Sequence, residues 1–296
     1  MLSYPIYRGM AAMLLAVTLY SINDALVKWL AATYNPMQII FCRSFFTFFP
    51  LLAIVLQKRS WKNLQSNHKG SQILRAAIMA LSLPFYIYAF KSLPLADAYA
   101  VAYVAPLFMA IFSIPILGEK IERHAWIAIC VGFSGVLVMM RPGSIVFSLG
   151  GLSAFVGGIL WALGLVMGRK LSKTESDFSL TLWFMGACFL FSSLFTPFCW
   201  QSPSLSDWGL FASSGIIGGA GLLAITRAFS LAPASVVGPI DYLILVFGAL
   251  IGYVVWKDIP DVFIIIGALI LVLSGLYLVY HEARRKPLVL FPVLET

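Results

Sequence analysis

Ten stretches of about 20 predominantly apolar residues follow one another with little between them, and that feature decides the solvent this chain folds in. Bounded by polar residues, Pro or Gly, they fall near 9–31, 38–56, 72–90, 96–117, 124–140, 147–167, 178–198, 208–230, 234–254 and 262–280. Such a stretch, wound as a helix, crosses the hydrocarbon core of a bilayer. Of the 296 residues, 61% are hydrophobic and 11% charged, where a soluble domain carries about a quarter charged residues. The expected fold is all-α and integral to the membrane. It has ten transmembrane helices, and the connections are too short to hold a soluble domain.

The formal charge of +8 raises the question of nucleic acid, but the placement of the charges points elsewhere. Lys and Arg sit in the short connections, without a continuous basic face or a nucleic-acid module. With the N-terminus placed inside, the inner set is Arg8; Lys58, Arg59, Lys62, Lys69; Lys120, Arg123; Arg169, Lys170, Lys173; and Arg284, Arg285, Lys286. The outer set is only Lys91, Arg141 and Lys257. This excess predicts that both termini are cytoplasmic. Arg8 followed by a long apolar stretch, with no small-residue cleavage site, reads as a retained first helix rather than a signal peptide. Cys42, Cys130, Cys188 and Cys199 lack metal-ligand spacing and read as small apolar filler.

The halves are related. An offset of 139 sets Ala89, Phe90, Pro94, Tyr103, Phe108 and Ala110 on Ala228, Phe229, Pro233, Tyr242, Phe247 and Ala249, and Glu119 on Asp258. With one residue of slip, Ala128, Ser134 and Gly135 fall on Ala268, Ser274 and Gly275. Five spans per half is an odd number, so the second half enters the membrane upside down. The expected plan is two inverted five-helix repeats, 1–143 and 144–296, with a substrate site between them near the midplane.

"FCRSFF" (41–46), "LPLADAYAVAYVAPLFMAIFSIPILGEKIERHAWIAICVGFSGVLVMMRPG" (93–143) and its second copy over 228–279 resemble the drug/metabolite transporter superfamily, in its ten-helix EamA-type branch. The resemblance covers nearly the whole chain. It implies an inner-membrane carrier for a small molecule, with no bound cofactor. "SINDALVKWL" (21–30) resembles the first helix of members that take up S-adenosylmethionine or riboflavin. Export of amino acids, metabolites or drugs is the alternative.

Ionisable side chains are costly at membrane depth, about 2.5–3.5 kcal/mol each on insertion scales, so those present mark candidate site residues. Tyr20, Asp24 and Lys28, at i, i+4 and i+8, form one stripe on the first helix. The stripe either lines a cavity, with Asp24 meeting a cation or a proton, or Asp24 and Lys28 merely neutralise one another. Asn23 points about 100° away, toward the cavity or a neighbouring helix. Asp241 lies beside Pro239, either in a loosened, cavity-facing segment or at a plain helix start. Arg43 and Arg227 suit a substrate carboxylate or phosphate, or a salt bridge to Asp24 or Asp241. Tyr103, its repeat mate Tyr242, and Trp161 are candidate aromatic walls. Arg75 reads as an interfacial anchor, and Asp97 as a charge complementing a helix N-terminus.

Competing classes are separable. An intramembrane enzyme needs paired catalytic groups, yet His68, His124 and His281 all fall in loops or at span ends on the cytoplasmic side, far from Asp24. A carrier is the expectation, driven by membrane potential or by protons as coupling ion.

Overall fold

The computed structural model describes residues 4–58, 66, 68–118, 123–139, 147–172, 174–231 and 240–285, and the described elements are helical. The first half contains α1 (Tyr4–Ala31), α2 (Pro36–Lys58), α3 (Lys69–Ser92), the pair α4 (Leu95–Ala102) and α5 (Ala105–Leu117), and α6 (Arg123–Met139). The second contains α7 (Leu149–Leu171), α8 (Asp177–Cys199), α9 (Leu205–Leu231), α10 (Leu243–Ile251), continued by a π-turn at Gly252–Trp256, and α11 (Val262–Arg285). Six of these segments are long and apolar enough to cross a membrane, and three shorter apolar segments accompany them. With α2 they make the ten expected spans.

Burial follows the hydrocarbon solvent. Large apolar side chains such as Leu15, Ile22, Leu74, Leu137, Leu190 and Leu273 face outward, whereas Asn23, Gln38, Gln72, Arg75 and Asp97 are buried. A water-soluble bundle distributes these residue types the other way round.

The inverted repeat is visible in the contacts. α1 packs along α9 and α3 along α7, while α2 meets α8 and α6 meets α11. Exchanging the halves maps this set of pairs onto itself. Individual hydrogen bonds map as well, with an offset of 141 in the first two spans of each half and 139 in the third. At one end of the bundle, the Tyr34 hydroxyl donates to Asp207 Oδ2 (2.7 Å). At the other, the His68 backbone N–H donates to Glu175 Oε1 (3.0 Å). Tyr34 is the repeat mate of Glu175, and Asp207 of His68. Inside the bundle, Ser214 Oγ donates to Asn23 Oδ1 (2.8 Å), and its mate Arg75 donates through Nε to the carbonyl of Asn23's mate, Gly164 (3.2 Å). The geometry repeats although the residue types do not.

Arg75 is thus a buried tie rather than the expected interfacial anchor, because its NH1 also reaches the carbonyl of Leu180 (3.1 Å). Charge-assisted hydrogen bonds of this kind contribute about 1.5–3 kcal/mol. A lysine, with one compact head, does not span both carbonyls. Arg75→Lys is therefore expected to cost about 2 kcal/mol, read as a lowered unfolding temperature in detergent.

One span departs from expectation. The fourth span is not one helix over 96–117 but breaks at Tyr103–Val104. Pro106 has no amide hydrogen to offer the Ala102 carbonyl, and α7 comes close there: a Cβ on Gly158 would lie 2.8 Å from Ala102 O. In the ninth span, Tyr242 stands at the start of α10 just as Tyr103 stands at the break. The two mates meet with ring centroids 5.6 Å apart, and the Tyr103 hydroxyl donates to the carbonyl of Asp241 (3.0 Å). The expected break at Pro239, with Gly238, lies outside the described residues. Gly248 in α10 marks a close approach, because a Cβ there would run into the Tyr99 ring.

Candidate functional site

A cavity of about 210 Å³ lies between the two halves, and two kinds of group line it. Polar groups come from α1 (Tyr20 and Asp24), α2 (Arg43 and Thr47) and the segment before α10 (Asp241). Aromatic and apolar groups come from α3 (Tyr86 and Phe90), α7 (Trp161 and Leu165) and α8 (Phe184 and Met185). Tyr99, Tyr103 and Met109, on either side of the α4/α5 break, line it too.

The lining positions are themselves repeat mates. Tyr20 and Trp161 correspond, as do Asp24 and Leu165, Arg43 and Phe184, Tyr86 and Ile225, and Ala102 and Asp241. In each of the three pairs that hold a charge, one half contributes the charge and the other an apolar or aromatic group. A repeated scaffold with divergent side chains thus gives a cavity lined by both charged and aromatic groups.

The aromatic lining is continuous. Phe184 meets Trp161 at 5.9 Å between centroids, and Trp161 meets Tyr86 edge-on at 6.3 Å. Tyr86 meets Phe90 at 6.2 Å, and Phe90 meets Tyr99 at 5.6 Å. These are ordinary separations for interacting rings. The arc ends on the acid, because the Tyr99 hydroxyl donates to Asp24 Oδ2 (2.9 Å). The other carboxylate oxygen, Oδ1, accepts from Asn23 Nδ2 (2.9 Å), and Asn23 is itself fixed by Ser214. Asp24 is thus held in one orientation by two donors, with acceptor capacity left for a ligand.

Arg43 also lines the cavity, and among the described residues no hydrogen bond or ion pair engages its guanidinium. The sequence left open a salt bridge from Arg43 to Asp24, and the two do not form one. A guanidinium with five donors facing a cavity suits a planar anionic group, above all a carboxylate.

Of the ten candidates read from the sequence, the cavity takes in Tyr20, Asp24, Arg43, Tyr103, Trp161 and Asp241. The other four stand elsewhere. Asn23 is fully buried behind Asp24 and acts on it through a hydrogen bond. Lys28 leaves the stripe, because two further turns rotate it about 80° from Tyr20. It pairs with Asp258 rather than with Asp24. Arg227 lies exposed toward the C-terminal end of α9, off the cavity. Tyr242 is taken up by Tyr103 and by Gly275, whose Cβ position its hydroxyl would occupy. Sequence reasoning missed Thr47, Tyr86, Phe90, Phe184 and Met185. The 139 offset read from the sequence sets Arg43 on Leu182, and only the 141 offset seen in the structure makes Phe184 its mate, whereas the i, i+4 spacing of Tyr86 and Phe90 marks one face of α3.

Ten membrane-crossing segments in two related halves, closed around a polar and aromatic cavity, make this a multi-pass membrane transporter. The chain belongs to the EamA-like transporter family, which matches residues 7–141 and again 148–280. It is 29% identical over 271 residues to the pseudopaline exporter CntI of Pseudomonas aeruginosa, covering 90% of this chain and 94% of that one. It is 27% identical over 277 residues to the S-adenosylmethionine uptake transporter of Rickettsia prowazekii, covering 93% and 94%. A riboflavin transporter of Vibrio cholerae is 26% identical over 227 residues, covering 76% of each chain. A solved crystal structure shares the fold, with a TM-score of 0.68 at 20% identity over 94% of this chain and 98% of that one.

Proposed function

We propose that the chain is a secondary carrier of the inner membrane that imports an amphipathic zwitterion bearing a flat ring, with S-adenosylmethionine as the leading candidate. The observation that carries this is the cavity lined by both charged and aromatic groups. Asp24 meets the cationic centre, Arg43 the carboxylate, and the Phe184–Trp161–Tyr86–Phe90 arc the ring. Likeness to an S-adenosylmethionine uptake transporter supports the same reading. The halves 1–143 and 144–296 rock about the cavity, with both termini cytoplasmic and the Lys28 end outside, as the Lys and Arg balance favours. A cavity of about 210 Å³ is below the roughly 300–1,000 Å³ usual for ligand pockets. It corresponds to a contracted state that widens around its substrate. A proton gradient or the membrane potential drives the cycle.

The second reading is export, favoured by the slightly higher identity to the pseudopaline exporter. Uptake and efflux of labelled S-adenosylmethionine, riboflavin and a panel of amino acids, in vesicles holding wild type or Arg43→Gln, separate the two. Saturable S-adenosylmethionine uptake, reduced roughly 10- to 100-fold by Arg43→Gln, is the expected result. Efflux without uptake contradicts the import reading, and movement of riboflavin alone contradicts the zwitterion.

A further inference from the structure

Away from the cavity, at the end of the bundle assigned to the outside, one lysine ties the two halves together. Lys28, on α1, donates to the Leu93 carbonyl of its own half (2.8 Å) and pairs with Asp258 Oδ2 of the other half at 3.3 Å. It also lies 4.9 Å over the ring of Trp256, again from the second half. The chain is shaped to present that partner. The π-turn at Gly252–Trp256 is closed by Lys257 in the left-handed region (φ 61°), and the Asp258 N–H turns back to the Gly252 carbonyl at 3.2 Å. A non-glycine residue adopts such a φ only where its surroundings demand it.

Close by is a carboxylate with one buried oxygen left without a hydrogen bond in this state. Asp97, near the start of α4 in the first half, is 3% exposed, and its Oδ1 has no hydrogen-bond partner among the described residues. It stands in the first turn of α4, where its charge complements the helix N-terminus as the sequence suggested. The charges of Lys28, Asp258 and Asp261 all act on it. A buried carboxylate left without a partner in one state is costly, and is explained if it gains one in another.

We propose that Lys28 is the exchangeable latch of the outer gate, held by Asp258 when the outside is closed and handed to Asp97 when the second half swings away. Lys28 and Asp97 already act on one another electrostatically, and the exchange leaves the lysine paired in both states. The proposal rests on the alternating-access reading above, but not on any particular substrate. The repeat supports it: Lys28's mate is Arg169 and Asp258's is Glu119, so the same charge pair is encoded for the opposite face. Glu119 itself lies outside the described residues.

The test is the rate at which a membrane-impermeant maleimide, added outside the cell, labels Met109→Cys in the cavity. The background is the full chain with its four native cysteines replaced by alanine. Asp258→Asn is expected to speed labelling roughly tenfold, because it releases the latch. Adding Asp97→Asn should bring the rate back to within about twofold of the parent, because the open state loses its anchor. The exchanged pair Lys28→Asp with Asp258→Lys restores the closed latch but leaves Asp97 facing an aspartate, so it should label no faster than the parent, which separates loss of the latch from loss of the fold. Labelling of Asp258→Asn at the parent rate overturns the latch. Undiminished fast labelling of the Asp258→Asn, Asp97→Asn double variant overturns the exchange. Since the reagent needs no substrate, a failure of S-adenosylmethionine transport with these rates intact counts against the proposed cargo and not against the gate.

Discussion

Asp24→Asn reduces transport by roughly 100-fold while the protein still reaches the membrane and unfolds at nearly the parent temperature. The size follows from two losses. A charge-assisted contact to a cationic ligand contributes about 1.5–3 kcal/mol, or roughly 10- to 100-fold in affinity. The neutral amide also presents one oxygen where the carboxylate presents two. That oxygen is taken by Asn23 Nδ2, while the NH2 group faces the Tyr99 hydroxyl, which accepts as well as donates, so the wall keeps its hydrogen bonds and loses acceptor capacity for the ligand. Asp24→Glu keeps the charge but moves it by one methylene, and is expected to retain more activity than Asn. The check is initial uptake rate normalised to membrane-inserted protein, beside thermal unfolding of each variant. A large drop in unfolding temperature for Asp24→Asn contradicts the assignment of Asp24 to ligand contact.

Gly215→Leu costs about 3 kcal/mol and removes transport with it. α9 docks on α2 at this glycine. A Cβ there would stand 2.6 Å from the Arg43 carbonyl and closer still to Phe46, and the Thr47 hydroxyl bridges to the Gly215 carbonyl (2.9 Å). Backbone cannot yield as a flexible side-chain end does, so α9 must move away from α2 and take Arg43 and Thr47 out of register in the cavity wall. Gly209→Leu, earlier on the same helix with nothing within 4 Å of its Cβ, is the matched control. It brings the same gain in helix propensity and is expected to leave both stability and transport unchanged. Unfolding temperatures of the pair in detergent decide the matter, and equal values contradict the packing account.

Hydropathy made most of the architecture legible, because lipid imposes one rule on every span. The expectation of 72–90 met a helix at Lys69–Ser92, and that of 147–167 met Leu149–Leu171. The pairing of Tyr103 with Tyr242 pointed to an internal repeat, and these residues meet across the halves. The break at Tyr103–Val104 was harder to see, since Pro106 reads equally well as a residue tolerated inside a transmembrane helix. Its position depends on α7 coming close at Gly158, which is a tertiary fact. The i, i+4 rule found Tyr20 and Asp24 but carried Lys28 along too far, because its partner arrives from Asp258, 230 residues away. The aromatic arc was hidden for a related reason. Phe184, Trp161 and Tyr86 come from three helices, and only their packing separates them from the many rings that face lipid.

The most direct test of the central claim is counterflow in proteoliposomes. Vesicles preloaded with unlabelled S-adenosylmethionine are diluted into a trace of the labelled compound, with wild type, Asp24→Asn and empty liposomes side by side. A carrier that alternates access around one site gives a transient accumulation of label above its equilibrium level, abolished by Asp24→Asn. Simple equilibration with no overshoot, or an overshoot that Asp24→Asn leaves intact, contradicts the account.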